Sequence, residues 1–294
     1  MTLDNCTLCP RRCGADRSVS SGFCGCGAEV RAAKAYLHMW EEPPISGTNG
    51  SGTVFFSGCC LKCCFCQNYK ISSEGAGKEI SVQRLAEIFL ELQEQGAHNI
   101  DLVSPTPYVP QIIEALELCR GKLNVPIVYN TGGYERVETL KMLDGYVDVY
   151  LPDLKYFDSR LSDKYSGAGD YFEYAAPALK EMYRQVGDCQ IKDGLIRRGM
   201  IVRHMVLPSH RHDSVKVIEW LADNFPTDGI RLSLMSQYTP FYKSSEHKEI
   251  SRRISTFEYN FVLDRASELG FEGYAQERSS AREEYTPDFD LAGI

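Results

Sequence analysis

Residues 81–95 place Val82, Leu85, Ile88, Phe89 and Leu92 at helical spacing, with Ser81 as the cap and Gly96 as the stop. Similar patterns recur at 109–119, 136–143, 171–186 and 214–224. A last helix is announced by the capping box Ser255-x-x-Glu258 and closed by Gly270. Strand-like runs alternate with these helices, at 53–57, 100–103, 126–129, 147–151, 200–207 and 231–235. Crossover helices are how parallel strands connect, so six β-then-α steps predict a parallel sheet. Six steps fall short of an eightfold barrel. The expected architecture is therefore α/β: a partial, open (β/α)6 TIM-like barrel, reactive at the carboxyl ends of its strands.

Ahead of this regular region the chain is different. Residues 1–28 form a Cys-rich, turn-rich head, and 29–52 read as a connector ending in the polar, Gly-rich stretch 47–52. The barrel with a C-terminal extension then occupies 53–294. Composition changes this picture in one respect only. Hydrophobic residues at 43% and charged residues at 24% are ordinary for a globular chain of 294 residues. A net charge of −8 argues against bulk nucleic-acid binding. There is no run of 18 apolar residues, which argues against a membrane span. The twelve cysteines are the exception, because ten of them precede position 67. The opening MTLDNCTLCP has neither the basic nor the apolar stretch of an export signal. Clustered thiols are thus expected in a reducing, cytoplasmic setting, where they hold metal or do redox chemistry.

The densest cluster, Ser57-Gly58-Cys59-Cys60-Leu61-Lys62-Cys63-Cys64-Phe65-Cys66, follows the first strand. C-x3-C occurs twice, as Cys59/Cys63 and Cys60/Cys64. Only the first is completed three residues on by a cysteine, Cys66; Gln67 takes that place for the second. Three thiolates on one loop suit a [4Fe–4S] cluster whose fourth iron stays open. A zinc knuckle would need a fourth ligand, which Cys60 or Cys64 could supply. Otherwise those two are spare thiols.

This C-x3-C-x-aromatic-C loop after a first strand resembles the radical S-adenosylmethionine (radical SAM) superfamily. Further phrases narrow the likeness: Glu41 to Gly47 (EEPPISG), Cys66-Gln67-Asn68, Tyr150 to Tyr156 (YLPDLKY) and Arg203 to Pro208 (RHMVLP). They resemble the pyruvate formate-lyase activating enzyme group, in its longer branch with an N-terminal Cys-rich extension. The resemblance implies a [4Fe–4S] cluster on Cys59, Cys63 and Cys66, with Phe65 beside it. It also implies S-adenosylmethionine on the open iron, cleaved to a 5′-deoxyadenosyl radical that abstracts hydrogen. A protein substrate of the glycyl-radical type and an external electron donor such as flavodoxin or ferredoxin would follow. Alternative functions are a radical SAM enzyme acting on a small metabolite or RNA, and a non-catalytic iron–sulfur or zinc module.

S-adenosylmethionine carries both charge signs, so fixed donors and acceptors are expected around it. The strand ends offer Ser104, Thr106, Asn130, Thr131, Asp153, Lys155, Arg203 and Gln237. By resemblance, Asp153, Lys155 and Arg203 face the cofactor or substrate, with Lys155 counted as catalytic. Many radical SAM proteins carry Gly-Gly-Glu after the second strand; here that place reads Val103-Ser104-Pro105-Thr106-Pro107, so Ser104 and Thr106 are expected to bind the ammonium. Gly132-Gly133-Tyr134-Glu135 follows the third strand with a residue inserted before Glu135, and reads as a turn and helix start. In the head, Cys6, Cys9, Cys13 and Cys24 have spacing fit for a second iron–sulfur cluster or a zinc. His204, His210 and His212 read as solvated or hydrogen-bonded rather than metal ligands.

Overall fold

A computed structural model describes residues 3–275 and 287–294. Ten strands run in chain order: β1 (Val30–His38), β2 (Ser51–Phe56), β3 (Lys78–Ile80), β4 (Ile100–Val103), β5 (Ile127–Thr131), β6 (Val149–Pro152), β7 (Gln190–Lys192), β8 (Leu195–Met205), β9 (Arg231–Met235) and β10 (Gly273–Ala275). Their order across the sheet is β10-β9-β8-β6-β5-β4-β2-β1-β3, with β7 paired to β8. From β2 to β10 every neighbour on this path is parallel, and helices connect the strands. The predicted partial (β/α)6 barrel is therefore present. Its sheet is open, because the path ends on two different strands.

Alternation along the strands divides the apolar residues between two layers. Tyr129 and Tyr150 face the main core under the helices. Val128, Val149 and Leu151 face a smaller interior cluster, which Ile45 and Ile196 plug. The helix expected from residue 81 spans Val82–Glu94, with the Ser81 hydroxyl accepting the Arg84 N–H. The capping box at Ser255 and Glu258 is formed in both directions.

Three features depart from the sequence expectation. Residues 29–52, read as a connector, hold β1, which pairs antiparallel with β2 and β3. Its composition, Val-Arg-Ala-Ala-Lys-Ala-Tyr-Leu-His, has no clean two-residue alternation to announce a strand. A helix at Ser159–Ser166 also went unread, since it is largely polar; Asp158 caps it by accepting the Arg160 N–H. The short seventh parallel strand, β10, was not expected either.

Candidate functional site

β2 is buried along its whole length, and its carboxyl end delivers the cysteine loop into the middle of the open barrel. Gly58 makes the first turn with φ +88°, and a Cβ there would lie 2.1 Å from the Cys26 sulfur of the head. Only glycine lets loop and head approach so closely. The loop is then tied down from several sides. Gly58 N–H donates to Ile71 O (2.8 Å), Lys62 N–H to Ser166 O (3.1 Å) and Cys64 N–H to Tyr165 O (2.8 Å). Arg11 Nε of the head donates to Cys60 O at 2.9 Å.

Cys59, Cys63 and Cys66 line one open-sided cavity of about 250 Å³; Cys60 and Cys64 do not line it. The sulfurs differ in chemistry too. Leu61 N–H donates to Cys59 Sγ (3.4 Å), and the Ser166 hydroxyl donates to Cys63 Sγ (3.0 Å). Cys66 Sγ pairs with Ser72 Oγ at 3.3 Å. Cys60 does the reverse, donating its S–H to Tyr134 O at 3.7 Å. The Cys59 and Cys63 sulfurs accept and so are set to carry a thiolate's charge once a metal displaces the proton, whereas a sulfur that donates is held as a thiol; in the Cys66–Ser72 pair either group can donate.

Protonation bears on whether these residues fit a cluster. Burial pushes Cys66 up to about 12 and raises Cys63. The neighbouring Cys60 thiol draws Cys59 down to about 7. Two of the three need a metal's positive charge to become thiolates at neutral pH. Among the described residues no three His, Cys, Asp or Glu side chains close around the position of a single metal ion. A four-iron cluster puts each thiolate on its own iron, and three thiols of one loop facing one cavity supply that donor set. Cys59, Cys63 and Cys66 are the residues that would hold it.

The rest of the cavity is charged. Arg203 Nε donates to Asp153 Oδ1 (2.9 Å), Nη1 to Glu41 Oε2 (3.1 Å) and Nη2 to Asn130 Oδ1 (2.6 Å). Lys155 Nζ pairs with the other Asp153 oxygen. Burial alone would raise Asp153, but Arg203 and Lys155 together hold its carboxyl below the usual range. Glu42 and Asp101, both buried, also face this group, and each leaves one oxygen without a partner. Four carboxyls thus meet two cations. Burial raises Glu41, Glu42 (to about 7) and Asp101, so part of the excess charge is held as protons.

Phe65, Ser104, Asn130, Thr131, Asp153, Lys155, Arg203 and Gln237 all line the cavity beside the three cysteines. Ser104 does so with φ +59°, an uncommon conformation for a non-glycine residue. Thr106 lines a small adjoining pocket together with Cys59, Ser104 and Thr131. Its hydroxyl donates to Glu135 Oε1, which the Thr131 hydroxyl also reaches. Glu135, set aside as part of a turn, is 1% exposed, and burial lifts it to about 7. Gly133 (φ +78°) lets this turn pass against the next strand's end, because a Cβ there would lie 2.1 Å from Asp153 O. Glu41, Glu42, Asp101 and Glu135 are the site residues that sequence reasoning missed. The phrase EEPPISG was the available signal for the first two.

The head packs against the loop and brings the Cys26 sulfur up to Gly58. The Cys9 thiol pairs with Cys60, and Cys24 pairs with Cys26. The Cys13 and Cys24 sulfurs flank Gly22. Cys6 is buried, with its backbone bonded to Ala15 and Gly14. Among the described residues no three of Cys6, Cys9, Cys13 and Cys24 stand around the position of a single metal ion. Of the histidines, His204 is buried with Nδ1 2.6 Å from Leu154 O, and burial lowers it to about 4, so the ring is neutral. Arg203 takes the cavity side of that strand.

Comparison with known proteins agrees with this geometry. The chain is 29% identical over 278 residues to the uncharacterized protein MJ0674 of Methanocaldococcus jannaschii, covering 91% of this chain and 76% of that one. In fold it is similar to Streptococcus suis SuiB bound to the precursor peptide SuiA, with a TM-score of 0.53 at 14% identity over 76% of this chain. It spans 48% of SuiB, about half its length. It is likewise similar to a radical SAM methyltransferase from Sphaerobacter thermophilus, with a TM-score of 0.52 at 15% identity, over 77% of this chain and 66% of that one. SuiB has also been solved with S-adenosylmethionine bound. The family's cofactors are a [4Fe–4S] cluster and S-adenosylmethionine. The Radical SAM superfamily model matches residues 53–196, from the first parallel strand through the cysteine loop and beyond Asp153 and Lys155, so the chain carries a radical SAM domain over that stretch.

Proposed function

We propose that the protein is a radical SAM enzyme of activase type, which takes hydrogen from the backbone of a protein partner such as a glycyl-radical enzyme. The observation that carries this reading is the single cavity in which three hydrogen-bonded cysteines meet the Asp153–Lys155–Arg203 network. When bound, the cluster supplies the electron that cleaves S-adenosylmethionine to methionine and a 5′-deoxyadenosyl radical. The chain's own residues bind and orient. Asp153 offers an acceptor to an ammonium, and Lys155 and Arg203 offer donors to a carboxylate. Their mutual pairing fixes these groups before the ligand arrives, which lowers the cost of orienting it.

The mouth supports a protein substrate. Trp40 is 61% exposed there, and the side-chain amides of Gln67 and Asn68 line the same opening. Amides hydrogen-bond a peptide backbone without requiring a particular side chain. The electron would come from a cytoplasmic flavodoxin- or ferredoxin-type donor. To test this, the reduced holoenzyme is mixed anaerobically with S-adenosylmethionine and a purified glycyl-radical enzyme, and the electron-spin spectrum is recorded. A protein-borne glycyl signal is expected. Absence of that signal, with 5′-deoxyadenosine formed only when a small metabolite or RNA is added, would contradict the proposal.

A further inference from the structure

The sulfur of Cys63 receives its hydrogen bond from a distant part of the chain. Ser166 lies 103 residues away, is fully buried, and ends the helix Ser159–Ser166 just before Gly167 turns the backbone into the left-handed region. The same helix end accepts Lys62 N–H and Cys64 N–H through the Ser166 and Tyr165 carbonyls. Helix and cysteine loop are therefore held in one register. Behind Ser166, the Tyr156 hydroxyl lies 2.8 Å from Ser166 Oγ, and Tyr156 is itself 1% exposed. A serine has one proton to give. With that proton directed at the sulfur, Tyr156 must be the donor to Ser166, and the three groups form a chain running Tyr156 to Ser166 to Cys63. Tyr156 closes the phrase that contains Asp153 and Lys155, although it does not line the cavity.

We propose that Tyr156 and Ser166 are positioning residues that set the reduction potential of the cluster through this hydrogen bond to the Cys63 sulfur. A donor at a ligand sulfur draws off negative charge and so favours the reduced, more negative cluster. Successive hydrogen bonds in a dry interior polarise one another, so the tyrosine strengthens what the serine does. Burial keeps water from replacing either hydroxyl. The inference rests on Cys59, Cys63 and Cys66 holding the cluster.

The experiment is an equilibrium redox titration of the reconstituted holoprotein, followed by electron-spin resonance, for wild type, Ser166→Ala, Tyr156→Phe and the double variant. Ser166→Ala is expected to shift the midpoint to more negative potential. Tyr156→Phe should shift it in the same direction by less, and the double variant no further than Ser166→Ala, because the two residues act as one chain. A fully loaded Ser166→Ala protein with the wild-type midpoint would overturn the proposal, as would additive shifts in the double variant. If Ser166→Ala does not hold iron, Tyr156→Phe decides alone: a shift supports the chain and the wild-type midpoint refutes it. A wild-type protein with no reducible [4Fe–4S] cluster would instead bring down the ligand assignment, and the proposal with it.

Discussion

Cys59, Cys63 and Cys66 are set apart from the thiols between them by what their sulfurs touch. Spacing alone picked the same three, and Asp153, Lys155 and Arg203 were also legible, because each lies at or near a strand's carboxyl end in a recognisable phrase. Glu135 was not. Its role arises from Thr106 after β4 and Thr131 at the end of β5 converging on one carboxyl, which no local pattern encodes. That burial has a pH signature in the metal-free protein. Burial lifts Glu135 from 4.5 to about 7, so between those values the folded protein keeps a proton that the unfolded chain has released. The group's stabilisation is complete below the lower value and is lost as pH rises through the upper one. Glu135→Gln should therefore gain about 3 kcal/mol relative to wild type between the two limits. His38 and His204, each lowered to about 4 by burial, run the opposite way in both proteins and cancel in the difference. Denaturant unfolding across this pH range measures it; parallel curves for the two proteins would contradict the assignment.

Elements with strong periodicity were legible nearly to the residue, as the helix Val82–Glu94 and the Ser255 capping box demonstrate. β1 and the helix Ser159–Ser166 escaped because tertiary contacts, rather than apolar pattern, hold them. The C-terminal segment supplies part of that for β1: Leu291 N–H donates to Ala33 O, and Ala35 N–H to Ala292 O, covering backbone that an edge would expose. The contact between head and cysteine loop belongs to this scale as well. Gly58→Ala adds a Cβ against Cys26 at a positive φ, whereas Gly121→Ala, at φ +76°, meets nothing within 4 Å. The second substitution is expected to cost about 1 kcal/mol from conformation alone. Gly58→Ala should cost clearly more and reduce iron loading. Equal losses in denaturant unfolding would mean that the head does not press on the loop.

For the whole molecule, the open parallel sheet explains where chemistry collects. Strand ends from β2, β4, β5, β6, β8 and β9 share one face, so residues scattered from Cys59 to Gln237 line a single cavity. Strand-helix alternation made that convergence predictable, and the missed β1 explains why Glu41 and Glu42, just beyond its end, were not placed there. No helix among the described residues is long and apolar enough to cross a membrane. The most direct test of the account is release of 5′-deoxyadenosine from S-adenosylmethionine by the anaerobically reconstituted, reduced protein, compared with Cys63→Ala and Cys64→Ala. The account predicts release by wild type and by Cys64→Ala, and none by Cys63→Ala. Release that survives in Cys63→Ala, or disappears only in Cys64→Ala, would contradict it.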